Sequence, residues 1–179
     1  AEIIDRIRRF ELDAGVIYPH GLDTTDLVVT PLYEEQHVLL ASSELLAGQA
    51  DSLSWADAVE LPMCLLVEGM RGRQLIDDAL AAHGLAVAPR LEADSVVSLL
   101  AHVGTGRWAS IVPHTWVRTL RPPVGARVVE LRDPTVFAEI ALVTSAVEPG
   151  SVLTRALVQA ARTLRAAGGF DLEAQAGTS

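Results

Sequence analysis

Alternation of strand and helix signals along the chain predicts an α/β fold with a largely parallel sheet. Three observations carry this reading. Met63-Cys64-Leu65-Leu66-Val67 is an apolar run short enough to be a strand covered on both faces. Leu75, Ile76, Ala79, Leu80 and Ala82 then recur at three-and-four spacing, the apolar stripe of a helix ending near Gly84. A second unit of the same kind follows, with a strand at Pro89–Ala93 and a helix behind Asp94-Ser95.

The remaining elements fall in order around this centre. Ala1–Phe10 has helical spacing, with Ile3, Ile4 and Ile7 on one face and Asp5, Arg6, Arg8 and Arg9 outside. No N-cap precedes it, so the sequence reads as starting inside a helix. Asp13–Tyr18 is a short strand, and Pro19-His20-Gly21-Leu22-Asp23 a turn or irregular loop. Asp26–Ser42 holds two β-rich runs broken at Pro31 and charged at Glu34-Glu35. It lacks a tight-turn dipeptide, so one long strand passing from sheet to sheet fits better than a hairpin. Ser54-Trp55-Ala56-Asp57 opens a short helix that ends before Pro62. The helix after Asp94-Ser95 is expected to bury Val96, Val97, Leu99, Leu100 and Val103, and Trp108–Val112 is a strand stopped by Pro113. Pro122-Pro123 marks a loop, and Arg132-Asp133-Pro134 separates strands at Val128–Leu131 and Phe137–Thr144. Ser151–Ala167 is a helix expected to turn Val152, Leu153, Ala156, Leu157, Ala160 and Leu164 inward, and Asp171–Ser179 is expected to be disordered.

Composition excludes several classes of function. The net charge of −9 repels phosphate backbones, so this chain by itself is not expected to bind DNA or RNA. No apolar run reaches the ~18 residues of a membrane span, and no secretion signal stands at the start. The single cysteine, Cys64, lies in an apolar run and reads as a small buried hydrophobe. His20, His37, His83, His102 and His114 show no close ligand spacing, so neither a metal nor a cofactor is expected. Gly104-Thr105-Gly106-Arg107-Trp108-Ala109 matches G-x-G-x-x-A in letters, yet it follows a helix and leads into a strand, the reverse of a dinucleotide site. There is no lysine, hence no P-loop, and no G-x-S-x-G elbow. No convergent acid, base or nucleophile set emerges, and no enzymatic activity is expected. Trp55, Trp108 and Trp116 read as core or interface residues, since no basic stripe accompanies them.

What remains is the join between strand and helix at Glu68-Gly69-Met70-Arg71-Gly72-Arg73. In open α/β sheets ligands bind beyond the carboxyl ends of strands, where N–H groups at a helix start attract anions. Arg71 and Arg73 could add forked, charge-assisted bonds to a carboxylate or other oxyanion, although any turn from strand to helix needs glycine and surface charge, and that plainer reading is the stronger one from these residues alone.

The order of segments resembles the effector-binding (substrate-binding) domain of LysR-type transcriptional regulators, which has the two-lobed type II periplasmic-binding-protein fold. The residues that carry the resemblance are Leu12-Asp13-Ala14-Gly15-Val16-Ile17, Pro31-Leu32-Tyr33-Glu34-Glu35-Gln36-His37-Val38-Leu39-Leu40, and Leu53-Ser54-Trp55-Ala56-Asp57. They continue with Glu92-Ala93-Asp94-Ser95 and with Val103-Gly104-Thr105-Gly106-Arg107-Trp108-Ala109-Ser110-Ile111-Val112-Pro113. Trp108 stands where the family often has a second glycine. The family's domain also begins with a strand, a helix and a second strand before the helix that matches Ala1–Phe10. The resemblance therefore implies an N-terminally truncated first lobe at 1–36 and 131–170, a second lobe at 37–130, and a tail at 171–179.

The resemblance implies effector sensing: a small, anionic molecule held between the lobes alters how a DNA-bound oligomer regulates transcription. Val67, Glu68, Gly69, Met70, Arg71 and Arg73 would form the second lobe's wall, with Asp94 and Ser95 at another helix start. Plain N-capping is an equally good reading of Asp94-Ser95. Tyr18, Pro19 and His20 would lie opposite, although an ordinary strand-end loop suits them better. The implied protein is a cytoplasmic homodimer or homotetramer, associating through helices such as those at Ala1 and Gln74–His83. It would touch DNA only through an N-terminal winged-helix module. A periplasmic solute-binding protein of a transporter is the alternative, and an enzyme on the same fold a more remote one.

Overall fold

The computed structural model describes residues 2–46, 48, 51–133, 135–147 and 151–168, and the tail expected to be disordered lies outside these residues. The chain divides into two compact units, 1–35 with 138–179, and 36–137. The expected crossings at 36/37 and 130/131 compare with observed ones at 35/36 and 137/138.

Unit 1 begins with α1 (Glu2–Arg8), which buries Ile4 and Ile7 and leaves Ile3 39% exposed. It packs on β1 (Ala14–Ile17), where a Cβ on Gly15 would overlap Ile3 Cγ2, so only glycine permits this approach. Arg8 fastens the end of α1 to the loop ahead of the next strand. Its Nε donates to both Asp26 carboxylate oxygens at 3.0 Å, and its Nη2 donates to Asp23 Oδ2 at 3.1 Å.

The long strand is continuous, β2 (Leu27–Ser42), and the boundary between the units falls within it. Its second half pairs antiparallel on both sides, with β6 (Ser110–Pro113) and with β7 (Ala126–Arg132). A strand paired on both edges and covered on both faces is expected to be apolar, and Val38–Ala41 is. Leu39 and Ala41 enter one core cluster with Trp55, Leu65 and Leu131, while Val38 and Leu40 enter another with Cys64, Leu99 and Val112. β3 (Ser52–Ser54) adds to the free edge of β7 in parallel and leads into α2 (Trp55–Ala58), whose N-cap Ser54 accepts the N–H of Asp57. In unit 1, β8 (Phe137–Ser145) stands between β1 and β2, antiparallel to β1. The sheet is thus mainly antiparallel, correcting the expectation of a largely parallel one. The cause is that the neighbours in the sheet, β1 with β8 and β2 with β6 and β7, are not consecutive strands of a strand–helix–strand unit, so nothing obliges them to run the same way.

The parallel part is the strand–helix repeat of unit 2. β4 (Cys64–Leu66) pairs parallel with β5 (Leu91–Ala93), and a parallel bridge between Met63 and Ala109 brings β4 beside the segment entering β6. α3 (Arg71–Ala81) follows β4 and buries Ile76 and Leu80, and α4 (Val96–Gly104) follows β5 and buries Leu99 and Val103. Val97, expected inside, is 76% exposed because it falls on the side of the helix wheel away from Leu99 and Val103. After β6 comes α5 (His114–Leu120), a helix the sequence reading did not contain.

α6 (Val152–Ala166) forms where expected, capped by Ser151, whose Oγ accepts the N–H of Thr154. Its orientation is a correction. Val152, Leu153, Ala156, Leu157, Ala160 and Leu164 are exposed, and the helix meets the sheet through Ala161 and Val158, packed with Leu32, Ile140 and Leu142. The small Ala161 lets the helix sit close to the sheet, and this turns the leucine stripe away.

Two predictions follow from these placements. Leu39→Ala should cost about 3 kcal/mol in urea unfolding, whereas Val97→Ala should stay within about 0.5 kcal/mol. Hydrogen bonding from Arg8 holds the Asp26 carboxyl below its ordinary value, so the contribution is present near neutrality and lost as pH falls through that lowered range. Arg8→Ala should therefore lower Tm more at pH 7 than at pH 3, narrowing the difference between the two melts.

Candidate functional site

Register places the candidate residues of unit 2 along one edge. Cys64 lies beside Leu91 and Leu66 beside Ala93, so the parallel strands β4 and β5 end together. The Val67 N–H donates to the Ala93 carbonyl at 2.9 Å, continuing the ladder by one bond before the chains part. Beyond it the chain turns at Gly69, whose φ of +89° favours glycine, and Met70 N–H returns to the Val67 carbonyl at 3.3 Å. α3 then starts behind Met70, an extended N-cap residue whose side chain makes no capping bond. The first-turn N–H groups of α3 therefore lack the side-chain acceptor that usually satisfies them.

The second helix start at this edge is occupied. Ser95 caps α4, its Oγ accepting the Ser98 N–H at 3.2 Å, so capping is its observed role. Asp94, Ser95, Glu68 and Gly69 are exposed, and Val67, Met70 and Arg71 half-buried. Two helices thus direct their positive ends to one strand edge, an arrangement that favours an anion.

Arg73 is placed differently from the expectation. It is only 4% exposed; its Nε donates to both Asp77 carboxylate oxygens at 3.0 Å. Its Nη1 donates to the Leu66 carbonyl at 2.9 Å and to Glu92 Oε1 at 2.8 Å. Burial works against the charged guanidinium, but bonds from Asp77 and Glu92 outweigh it and raise its pKa. Arg73 thus joins the last residue of β4, the middle of β5 and the next turn of α3, holding the loop between them. Of the two arginines, Arg71 is left as the one at the helix start with a partly exposed side chain.

Tyr18 and His20 belong to unit 1. The Tyr18 hydroxyl donates to the buried Glu35 carboxylate, which also accepts from the Tyr33 hydroxyl at 3.4 Å. His20 is exposed in the turn closed by Leu22 N–H on the Pro19 carbonyl at 3.1 Å. Glu35, Glu92 and His114 were not singled out by the sequence reading. His114, at the start of α5, is 2% exposed, and its Nδ1 lies 3.0 Å from the Gln36 backbone nitrogen and 3.2 Å from the Gln36 carbonyl oxygen. For Glu92 the signal was present as a charge at a strand position beside a buried strand. Cys64 is buried, and burial pushes its thiol pKa up, the opposite of an activated nucleophile. Among the described residues no cluster of three His, Cys, Asp or Glu side chains could hold a metal ion. None of the described helices is long and apolar enough to cross a membrane.

Comparison with known proteins assigns the chain to a family. The model of the LysR substrate binding domain matches residues 1–166, and the chain belongs to that family. Among solved structures, the reduced OxyR regulatory domain from Pseudomonas aeruginosa is 22% identical, with a TM-score of 0.72 over 89% of this chain and 76% of that one. The regulatory domain of Synechocystis CcmR in complex with 2-PG is 16% identical, with a TM-score of 0.73 over 92% and 78%. The effector binding domain of QuiR in complex with shikimate is 15% identical, with a TM-score of 0.74 over 93% and 78%. These likenesses establish the two-lobed periplasmic-binding-protein-like fold. The chain spans little more than half of the longer regulator structures, 57% of HinK from P. aeruginosa and 54% of full-length OxyR C199D. Against the curated proteins no sequence match is found. The chain is an effector-sensing regulatory domain of the LysR family.

Arg73→Ala should cost about 2–3 kcal/mol in urea unfolding, because several charge-assisted bonds and a buried side chain go together. Glu92→Ala should cost less, since Arg73 keeps Asp77.

Proposed function

We propose that the effector is a small anion seated at the carboxyl edge of β4 and β5, over the start of α3. The observation that carries this reading is the uncapped first turn of an eleven-residue helix, α3, directly beside the start of α4 on a parallel strand pair. Val67, Glu68, Gly69, Met70, Arg71, Asp94 and Ser95 make up this face. Backbone N–H groups of α3 and the Arg71 guanidinium hold a carboxylate or phosphate oxygen. Glu68 and Asp94, exposed beside it, accept hydrogen bonds from ligand hydroxyls, which favours a hydroxylated acid over a bare one. Arg73 acts behind this face as a positioning residue.

The structures of CcmR and QuiR are complexes with 2-PG and with shikimate, and shikimate, a hydroxylated carboxylate, supports an acid as the class of effector here. The chain works as a non-enzymatic sensor in the cytoplasm, within a homodimer or homotetramer. That oligomer reaches DNA through a winged-helix module in the whole regulator. Effector binding changes regulation by favouring one of two arrangements of the oligomer, which requires different affinity for the two and no contact between ligand and DNA. Membership of the LysR family speaks against a transporter's solute-binding protein.

A thermal-shift panel of hydroxy acids, phosphate esters and their neutral amides tests the proposal. At a hundredfold excess over Kd a bound acid should add about 2.7 kcal/mol, a rise of several degrees for a chain of this size. Arg71→Ala should reduce the shift at least tenfold in ligand concentration. Stabilisation by neutral compounds alone would overturn the anionic reading.

A further inference from the structure

Within unit 1, α6 is amphipathic in the reverse of the usual sense. Helices on a sheet normally cover it with their apolar stripe. Here Leu153, Leu157 and Leu164 are exposed, while Thr154, Gln159, Arg162 and Arg165 border a groove above the strands. The groove has two adjoining compartments. One, of about 350 Å³, lies between α6 and the strand ends at Val28 and Thr144, and the other, of about 440 Å³, between Val29-Thr30-Pro31 and the last turns of α6. Arg162 lines both, and Arg165, three residues on and on the same face, lines the second. Two buried hydroxyl residues, Thr30 and Thr144, belong to the lining.

Charge singles the place out. The chain carries −9 overall, yet Val152–Ala166 contains Arg155, Arg162 and Arg165 and no acidic residue. Among the described residues no ion pair or hydrogen bond engages the side chain of Arg162 or Arg165, whereas Arg8, Arg73 and Arg127 are each paired with aspartate. A cation in the last turn offsets the helix dipole, which accounts for Arg165 but not for Arg162 a turn earlier, facing a polar groove.

We propose that this groove is a second ligand site, separate from the strand edge of unit 2, that takes a small molecule bearing at least two negative charges as phosphate or carboxylate groups. One anionic group is held by the forks of Arg162 and Arg165, and the rest of the molecule lies along the Thr30 and Thr144 side of the groove. Such a site gives the domain a second input, and it acts whether or not the effector of unit 2 is the anion inferred above.

The test uses the whole chain with pyrophosphate and with citrate as probes, each titrated at constant ionic strength set with sodium chloride. Arginine Nε–Hε resonances and calorimetry provide the readouts. The expected result is saturable binding that shifts the Arg162 and Arg165 resonances. The double substitution Arg162→Gln with Arg165→Gln should weaken it at least tenfold, while Arg71→Ala leaves the concentration dependence of the Arg162 and Arg165 shifts unchanged. If the double variant does not fold, Arg162→Lys alone should weaken binding several-fold, since it keeps the charge and loses the fork. Preference for pyrophosphate over citrate would identify phosphate compounds as the source, and the reverse would identify polycarboxylates. Equal shifts at all arginines without saturation, binding abolished by matched chloride, or undiminished binding by the variants would overturn the proposal. Loss of the Arg162 and Arg165 shifts on Arg71→Ala would assign the probe to the unit 2 edge instead and would also overturn it.

Discussion

Strand β2 is under the tightest constraint in the molecule, and most of the fold follows from meeting it. From Val38 to Leu40 both of its edges are hydrogen-bonded, to β6 and to β7, and both of its faces are packed. Alternation of side chains sends Leu39 and Ala41 one way and Val38 and Leu40 the other. A shift of one residue in register would exchange the two sets between clusters built for different partners, Trp55 and Leu131 on one side and Leu99 and Val112 on the other. The segments entering β6 and β4 are in turn joined by the bridge at Met63 and Ala109, so the position of the strand–helix repeat in unit 2 is inherited from β2.

That inheritance explains why the effector face can be built from a loop. The turn at Glu68-Gly69 is exposed and has few bonds of its own, but both of its ends are fixed. On the strand side Val67 bonds to Ala93, and on the helix side Arg73 reaches back under the turn to Leu66 and across to Glu92. A buried guanidinium is costly unless all of it is engaged, and here the partners are the very elements whose spacing defines the site. Lysine, a point charge without the fork, could not span Asp77, Leu66 and Glu92 together. The sequence gives Arg71 and Arg73 the same apparent role, and only the turn of the helix separates them, one to the rim and one to the support.

Elements with strong local signals were legible in the sequence. Ser54, Ser95 and Ser151 each cap the helix that follows them, and β2 is continuous through Pro31, as the absence of a tight-turn dipeptide implied. What could not be read depended on tertiary context. α5 contains Thr115, Trp116, Val117 and Thr119, residues of good strand propensity, and it starts behind a proline with no capping side chain, so nothing local announces a helix. β3 is three residues long and exists through its pairing with β7. Strand direction failed for a related reason. Alternation of strand and helix implies parallel pairing only where a helix lies between neighbours, as between β4 and β5. In the candidate site, the strand–turn–helix pattern located the edge, but the inward course of Arg73 and the engagement of Tyr18 with Glu35 depend on partners distant in sequence.

The error over α6 is the most instructive of these, because a periodic leucine stripe is ordinarily the safest guide to a helix's buried face. The helix instead meets Leu32, Ile140 and Leu142 with Ala161 and Val158, and small size there matters more than apolar area, since it sets how near the helix axis can come to the strands. Once that contact is made, the wheel is fixed: Arg162 and Arg165 lie to one side of Ala161 and Leu157 and Leu164 to the other. The polar flank and the groove beneath it are therefore consequences of the same close contact that exposes the leucines. A helix rotated to bury its leucines would carry Arg162 into solvent away from Thr30, so the placement of the arginines and the exposure of the leucines stand or fall together.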